Sequence, residues 1–362
     1  MIPIKLANIT HANHVTNNYT DMNFIPTEPV ELIFKAFYDR NYDIRIVGGA
    51  VRDILLGRTP KDIDFATTAK PNEIKDVCLS NRIHCVETGL KHGTLTAVIK
   101  KAHYEITTLR SDVQTDGRHA VVEFISDWKL DAERRDLTIN AMSLSWEGLL
   151  YDYFNGLEDL RQKRLQFVND PEMRIKEDYL RILRFFRFYG RIANEPADYS
   201  SFDQNTLKII SELAPNLVKI AVERIWTEMA QIFTGRFAPG VVNVINQLNI
   251  FEYCGWDTLY KLDVEVFEQY YNNAVNREND PDVPTVKAAA LLASFFENAQ
   301  EAESSCRNLK LSGADRELCL FVVRNHRRST NILLDSLLAQ RHYKALVVSI
   351  YDPSRIHVIL PR

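Results

Sequence analysis

Asp43-Ile-Arg-Ile-Val-Gly-Gly-Ala-Val-Arg-Asp-Ile-Leu-Leu-Gly57, followed three residues later by Lys61-Asp-Ile-Asp-Phe65, is the stretch from which the fold is read. The β-branched run Ile44 to Val47 predicts a strand, Gly48-Gly49 a tight turn, and Ala50 to Leu56 a helix. Strand, glycine turn and helix in that order place backbone N–H groups where phosphates can be received. Gly48 and Gly49 allow close approach, and Arg52 is positioned to add a planar, bidentate guanidinium. The second segment predicts a strand over Asp62 to Ala66. Residues two apart on a strand share a face, so Asp62 and Asp64 are expected to emerge together while Ile63 and Phe65 enter the core. Paired carboxylates suit Mg²⁺, which takes hard oxygen ligands and completes its shell with substrate phosphate. Two such ions about 3.5–4 Å apart can hold the attacking and leaving oxygens of a phosphoryl displacement in line. Glu105, on a predicted strand from His103 to Thr108, is a candidate third carboxylate. A Gly-Gly turn alone often just ends a strand, and an isolated Asp-x-Asp also marks metal sites of glycosyltransferases; the conjunction of the two points to phosphate chemistry.

Outward from this stretch, Thr94 to Ile99 and Val121 to Ile125 read as further strands of one sheet, and Val30 to Tyr38, Asn72 to Leu79 and Asp131 to Met142 as helices. From about Arg174 the apolar spacing becomes three and four, through Tyr179 to Tyr189, Leu217 to Phe233 and Val286 to Phe296. The expected fold class is α+β: an α/β head with a small mixed sheet, then an all-helical remainder. Residues 1–28 are expected to form an N-terminal extension, 29–150 the head, 151–200 a neck, 201–300 a helical body and 301–362 a helical tail. Asn276 to Pro284 reads as a loop.

The chain has 362 residues, 46% hydrophobic and 25% charged, with a net charge of −4. That balance argues against a surface that coats nucleic acid throughout and leaves room for a local basic stripe. Such a stripe is present in Arg161, Lys163, Arg164, Arg174, Lys176, Arg181, Arg184, Arg187 and Arg191. The five cysteines are scattered, with no Cys-x-x-Cys pair, and read as reduced and structural. No apolar run has the length of a membrane span, and the first 24 residues lack the apolar block of a secretory signal, so a soluble intracellular protein is expected.

Gly48-Gly49-Ala50-Val51-Arg52-Asp53 followed by Asp62-Ile63-Asp64 closely resembles the signature of the nucleotidyltransferase superfamily, in the branch that holds CCA-adding enzymes and bacterial poly(A) polymerases. Glu133-Arg134-Arg135-Asp136-Leu-Thr-Ile-Asn140-Ala-Met resembles the block that contacts the ribose and base of the incoming nucleotide. Glu177-Asp178-Tyr-Leu-Arg181-Ile-Leu-Arg184-Phe-Phe-Arg187 resembles the helix that selects CTP or ATP. Thr115-Asp116-Gly117-Arg118 resembles part of a flexible loop, and Tyr151 to Gly156 a hinge between head and neck. The match runs from about residue 44 to 230 and is most like the eukaryotic or mitochondrial CCA-adding members.

The resemblance implies addition of C, C and A to the 3′ end of tRNA from CTP and ATP, with two Mg²⁺ ions and release of pyrophosphate. It implies catalytic and metal-holding roles for Asp62 and Asp64, with Glu105 beside them, and nucleotide contacts from Gly48, Gly49, Arg52, Arg135 and Asp136. The 2′-hydroxyl that Asp136 would meet separates ribonucleotides from deoxyribonucleotides. Asn140, four on from Asp136, is expected to brace that carboxylate. On one helix, Asp178, Arg181 and Arg184 would lie three apart and face one ligand. A carboxylate can accept from cytosine N4 or adenine N6 while an arginine donates to the ring acceptors. Glu177 would orient Arg181, Arg187 would extend the row towards the triphosphate, and Asp112, Asp116 and Arg118 would lie in a segment that reorganises between C and A addition. His92 reads as a hydrogen-bonded turn residue. Expected partners are the tRNA acceptor end and nucleoside triphosphates, without a membrane, for a monomer or homodimer that is mitochondrial and/or cytoplasmic and nuclear. A poly(A) polymerase of the same superfamily, or an inactive RNA-binding protein on this fold, are the alternative readings.

Overall fold

The computed structural model describes residues 4–5, 27–115, 120–256, 263–275 and 287–332. Its elements are β1 (Ile4–Lys5), α1 (Glu28–Tyr38), β2 (Ile44–Val47), α2 (Gly49–Leu55), β3 (Asp64–Thr67), α3 (Pro71–Ser80), β4 (His84–Gly89), β5 (Thr94–Ile99), β6 (Ala102–Thr108), β7 (Arg110–Thr115), β8 (Ala120–Phe124), α4 (Trp128–Glu133), β9 (Ser143–Leu144) and β10 (Leu149–Tyr151). Helices follow: α5 (Gly156–Arg161), α6 (Pro171–Glu177), α7 (Arg181–Ile192), α8 (Gln204–Leu213), α9 (Val222–Phe233), α10 (Ala238–Gln247), α11 (Val264–Val275), α12 (Ala288–Leu292), α13 (Ala299–Asn308) and α14 (Gly313–Ile332). The fold is α+β. One unit comprises Met1–Phe188, Ile192–Asn194 and Phe202–Leu213; the other comprises Tyr189–Arg191, Glu195–Ser201 and Ala214–Arg362.

The first unit is built on an eight-stranded mixed sheet in the order β1-β10-β9-β2-β3-β6-β5-β4. Antiparallel pairing sets Val47 opposite Asp64, and parallel pairing of β3 with β6 sets Phe65 beside Ile106. One face is closed by α1, whose Val30, Ile33, Phe34 and Phe37 recur at helical spacing and are fully buried. Phe34 meets Phe65 edge to face at 5.5 Å. Period-two alternation then sends Asp64 and Glu105 to the other face.

Two expected elements are reshaped by tertiary pairing. The helix expected over Asp131 to Met142 is instead α4, a 3₁₀ turn at Thr138–Asn140 and β9. Asp127 caps α4 by accepting from the N–H groups of Lys129 (2.8 Å) and Leu130 (3.3 Å). The helix stops because Asp136 captures the N–H of Leu137 at 2.8 Å and Leu137 pairs in extended form with Phe167. Within the polar segment from Arg110 to Glu123, expected as mobile, the described residues form the antiparallel pair β7 and β8, whose ladder satisfies their backbone groups. Asp116, Arg118 and the expected loop at 276–284 lie outside the described residues.

The expected hinge at Tyr151 to Gly156 is a tight turn in which Asp152 accepts from the N–H groups of Phe154, Gly156 and Leu157 at 3.3, 2.9 and 2.9 Å. The second unit is helical, around an aromatic cluster in which Phe233 stacks on Phe295 at 5.1 Å and Phe251 on Trp256 at 4.9 Å. All five cysteines are free thiols. No helix among the described residues is long and apolar enough to cross a membrane.

A side chain at Gly156 would place its Cβ 2.2 Å from the Thr138 carbonyl oxygen, where only backbone can yield. Gly156→Ala is expected to destabilise the protein by about 2 kcal/mol through overpacking. Urea denaturation should show a lower midpoint with an unchanged slope.

Candidate active site

The end of β2 delivers the turn. Gly48 has φ +70°, a conformation that only glycine adopts without strain. The guanidinium of Arg135 lies over it, 3.2 Å from where a Gly48 Cβ would be. Arg52 turns inward. It is 4% exposed, donates to Asp53 Oδ1 (2.8 and 3.0 Å) and Asn140 Oδ1 (2.8 Å), and lies 5.1 Å from the Phe188 ring. Arg52 is thereby tied to Asp53 beside it on α2 and to Asn140 of the neighbouring 3₁₀ turn.

Asp64 opens β3 and Asp62 does not lie on the strand; it sits in the preceding bend, exposed to solvent. The shared-face argument for the pair is corrected accordingly: Pro60 and the bend it begins delay the ladder until Asp64, and Ile63 is only half-buried. Crowding by surrounding protein, then the charges of Glu105 and Asp62, push the Asp64 carboxyl up to about 6 against the pull of Arg135, although its side chain still meets solvent. Glu105, also exposed, occupies the neighbouring strand one residue before Ile106, the partner of Phe65. Among the described residues no three carboxylate, imidazole or thiolate groups are drawn together into a complete metal cage. A divalent cation would offset the charge that Glu105 and Asp62 place beside Asp64.

Behind the turn lies a network of buried carboxylates and arginines. Asp136 is 7% exposed; burial would raise its pKa, yet Arg184 and the Leu137 N–H hold it at about 2. Arg184 donates to it through Nε at 2.7 Å, and Asn140 Nδ2 at 3.3 Å, so the expected bracing by Asn140 is present. Asp136 thus holds Arg184 in place. Asp131, absent from the sequence reading, is 2% exposed and pairs with Arg134 (2.9 Å) and Arg135 (3.1 Å). Its spacing of three and four from these arginines on a helix was the available signal.

Asp178 is not on one helix with Arg181. It terminates α6 with extended backbone, accepts from the Leu180 N–H at 3.1 Å through its side chain, and its carbonyl receives the Arg181 N–H at 3.0 Å as α7 begins. Arg181 donates to Glu177 Oε2 at 2.6 Å, the orienting contact expected, and also to the carbonyls of Arg174 (2.9 Å) and Arg134 (2.8 Å). Arg187 lies 4.4 Å from the Phe188 ring. Phe185, Phe186 and Phe188 are buried as expected. Much of the basic stripe is internally committed: Arg174 pairs with Glu177 at 2.6 Å, Lys176 with Glu172 at 2.5 Å and Arg164 with Asp159 at 2.5 Å. His92 ends a 3₁₀ turn and its carbonyl accepts from Arg110.

The raised Asp64 makes the site costly when empty of cations. In the unfolded chain Asp64 loses its proton near 3.8, whereas the folded protein keeps it to about 6. Stability contributed by the protonated carboxyl is present below 3.8 and is lost as pH rises through about 6. Asp64→Asn should therefore stabilise the metal-free protein at pH 7.5 by on the order of 1 kcal/mol, a value discounted for solvent screening. Thermal melts in a chelator should show the gain at pH 7.5 and its disappearance near pH 4.

Two family matches fall on the chain: the poly A polymerase head domain over residues 44–166, and the probable RNA and SrmB-binding site of polymerase A over residues 201–254. Human mitochondrial CCA tRNA nucleotidyltransferase 1 is 42% identical over 328 residues, covering 90% of this chain and 73% of that protein. The CCA-adding enzyme of Leuconostoc citreum is 31% identical over 336 residues, covering 90% of this chain and 77% of its own. Among solved structures, the Bacillus stearothermophilus CCA-adding enzyme in complex with CTP superposes with a TM-score of 0.65 at 24% identity, over 92% of this chain and 80% of that one, a likeness of fold. With the phosphate turn, the carboxylates of β3 and β6 and the arginine network already in place, this sequence identity over most of both chains shows that the protein belongs to the CCA-adding tRNA nucleotidyltransferase family.

Proposed function

We propose that this chain adds C, C and then A to the 3′ end of tRNA, using CTP and ATP and releasing pyrophosphate. The observation that carries this reading is the register that brings Asp64, Glu105 and the Arg135-covered Gly48 turn to one end of one sheet. Asp62 and Asp64 are the proposed Mg²⁺ ligands, with Glu105 as the third carboxylate. The ions would supply Lewis-acid stabilisation of the attacking 3′ oxygen and the leaving pyrophosphate. The backbone at Gly48 and Gly49 and the guanidinium of Arg135 receive the triphosphate, and Arg187 is assigned a contact with it as well. Arg52, Asn140 and Asp136 hold that surface rigid from behind.

Base choice is assigned to Asp178, Arg181 and Arg184. A carboxylate accepting from an exocyclic amine and a guanidinium donating to ring acceptors match both cytosine and adenine, whereas uracil and guanine present the opposite polarity at the amine position. Glu177 and Asp136 fix the two arginines so that a wrong base leaves donors unmatched. Asp112, on β7, is proposed to act together with Asp116 and Arg118 in the change between C and A addition. The mitochondrial naming of the human, mouse and zebrafish relatives motivates the same compartment here.

The test is incorporation from the four nucleoside triphosphates with Mg²⁺ into a tRNA transcript lacking its CCA end, with sequencing of the products. Two C residues, one A and a stop are expected; long A tails would favour a poly(A) polymerase, and no incorporation an RNA-binding protein. Asp62→Ala and Asp64→Ala should each reduce addition by roughly a thousandfold or more, as several kcal/mol of charge stabilisation are withdrawn, while tRNA binding in a filter assay survives. Asp178→Ala or Arg181→Ala should raise UTP and GTP use relative to CTP and ATP by about tenfold, the worth of one base-edge contact. Unchanged selectivity in competition assays would remove these two residues from the reader.

A further inference from the structure

Three guanidinium groups converge on one aromatic ring. Phe188, on α7, is buried, and its ring centroid lies 4.4 Å from the guanidinium carbon of Arg187, 5.1 Å from that of Arg52 and 5.4 Å from that of Arg184. Arg184 and Arg187 precede the ring on the same helix, whereas Arg52 comes from α2 behind the phosphate turn. A polar chain joins two of the three. Arg52 Nη1 donates to Asn140 Oδ1 at 2.8 Å, Asn140 Nδ2 to Asp136 Oδ1 at 3.3 Å, and Arg184 Nε to Asp136 Oδ2 at 2.7 Å. Both ends of that chain rest against Phe188, so the ring closes a loop that runs from α2 to α7. Cations gathered this closely repel one another. Asp53 and Asp136 offset Arg52 and Arg184 from the side, and the electron-rich face of a buried ring attracts guanidinium groups that reach it within about 6 Å.

We propose that Phe188 is a positioning residue whose ring fixes the spacing of Arg184 and Arg187 from Arg52, and thereby sets both base choice and triphosphate contact. This rests on the functional reading above. The two phenylalanines just before it on α7 do different work. Phe185 stacks on Phe167 at 5.3 Å, and Phe186 meets Phe202 at 5.6 Å, both fully buried among other rings. They fasten the helix to the core, whereas the ring of Phe188 is turned to the arginines. Arg184 keeps 32% side-chain exposure, so its guanidinium can meet a base edge while it stays against the ring and on Asp136. An aliphatic side chain at position 188 would fill the same space and leave the three cations without a common attractor.

The experiment compares wild type, Phe188→Leu and Phe186→Leu, the last a matched loss of packing on the same helix, in nucleotide addition to a tRNA transcript lacking its CCA end. Melting temperatures are measured alongside. In Phe188→Leu, KM for CTP and ATP should rise roughly fivefold, and use of UTP and GTP relative to CTP and ATP should rise by a similar factor, the worth of a desolvated contact between cation and ring. Phe186→Leu should lower the melting temperature and keep the KM and base selectivity of the wild type. Should Phe188→Leu not fold, pentafluorophenylalanine in place of Phe188, which keeps the shape of the ring and reverses its charge distribution, is expected to give the same rise in KM and the same loss of selectivity. Wild-type KM and selectivity in the position-188 variant that folds, or equal changes in Phe186→Leu, would overturn the assignment and leave Phe188 a core residue. A wild-type protein that adds neither C nor A would overturn the functional reading and this inference together, an outcome distinct from an active wild type with an unaffected variant.

Discussion

Like charges held together against their repulsion organise this molecule. Asp64 stands at the mouth of β3 with Glu105 beside it and Asp62 just before it, and its carboxyl is raised to about 6 by the surrounding protein first and by those two charges second. Backbone register alone enforces it: Val47 opposite Asp64 brings the glycine turn alongside, and Phe65 beside Ile106 brings Glu105 alongside. Those pairings are fixed because a one-residue slip would drive Phe65 out of its contact with Phe34 and put carboxylates into the core. The hydrophobic side of the sheet thus sets the electrostatics of the other side, and the resulting negative field calls for a cation.

Around that field the arginines are placed by buried acids. Asp136 and Asp131 are each desolvated, and a buried carboxylate without partners would be strongly destabilising. Both are saturated by guanidinium and backbone donors, so their contribution is to geometry more than to net stability. Arg45 makes a third anchor of a different kind: its guanidinium lies 3.9 Å from the Trp128 ring and 3.6 Å from the Tyr151 ring, with Asp43 at 2.7 Å. It ties the first residue of α4 and the last residue of β10 to the strand that ends in the phosphate turn.

Local chemistry was readable in the sequence wherever the deciding forces were local. The strand Ile44 to Val47, the glycine turn and the helix behind it stand as their own residues dictate, as do β5 and the apolar face of α7. Other elements were decided at long range. Asp136 resembles a helix residue until Phe167 pairs with Leu137; Asp62 resembles a strand residue until the ladder begins at Asp64; Asp178 resembles part of a recognition helix, whereas the chain breaks there into α6 and α7. The run after Arg110 is paired as β7 and β8 by a backbone ladder that its polar residues do not announce. Motif spacing marked Asp136, Arg184 and Arg52 as nucleotide contacts, and the side-chain packing shows why the same residues hold one another. Spacing records which residues act together, and the packing shows how they hold one another.

The central claim, that protein side chains select the base without an RNA template, is tested most directly one step at a time. A tRNA transcript halted at each of the three stages is offered a single nucleoside triphosphate, and the extended fraction is measured. The account predicts CTP at the first two stages and ATP at the third, with UTP and GTP refused throughout. Use of ATP at the first stage, followed by continued A addition, would contradict it.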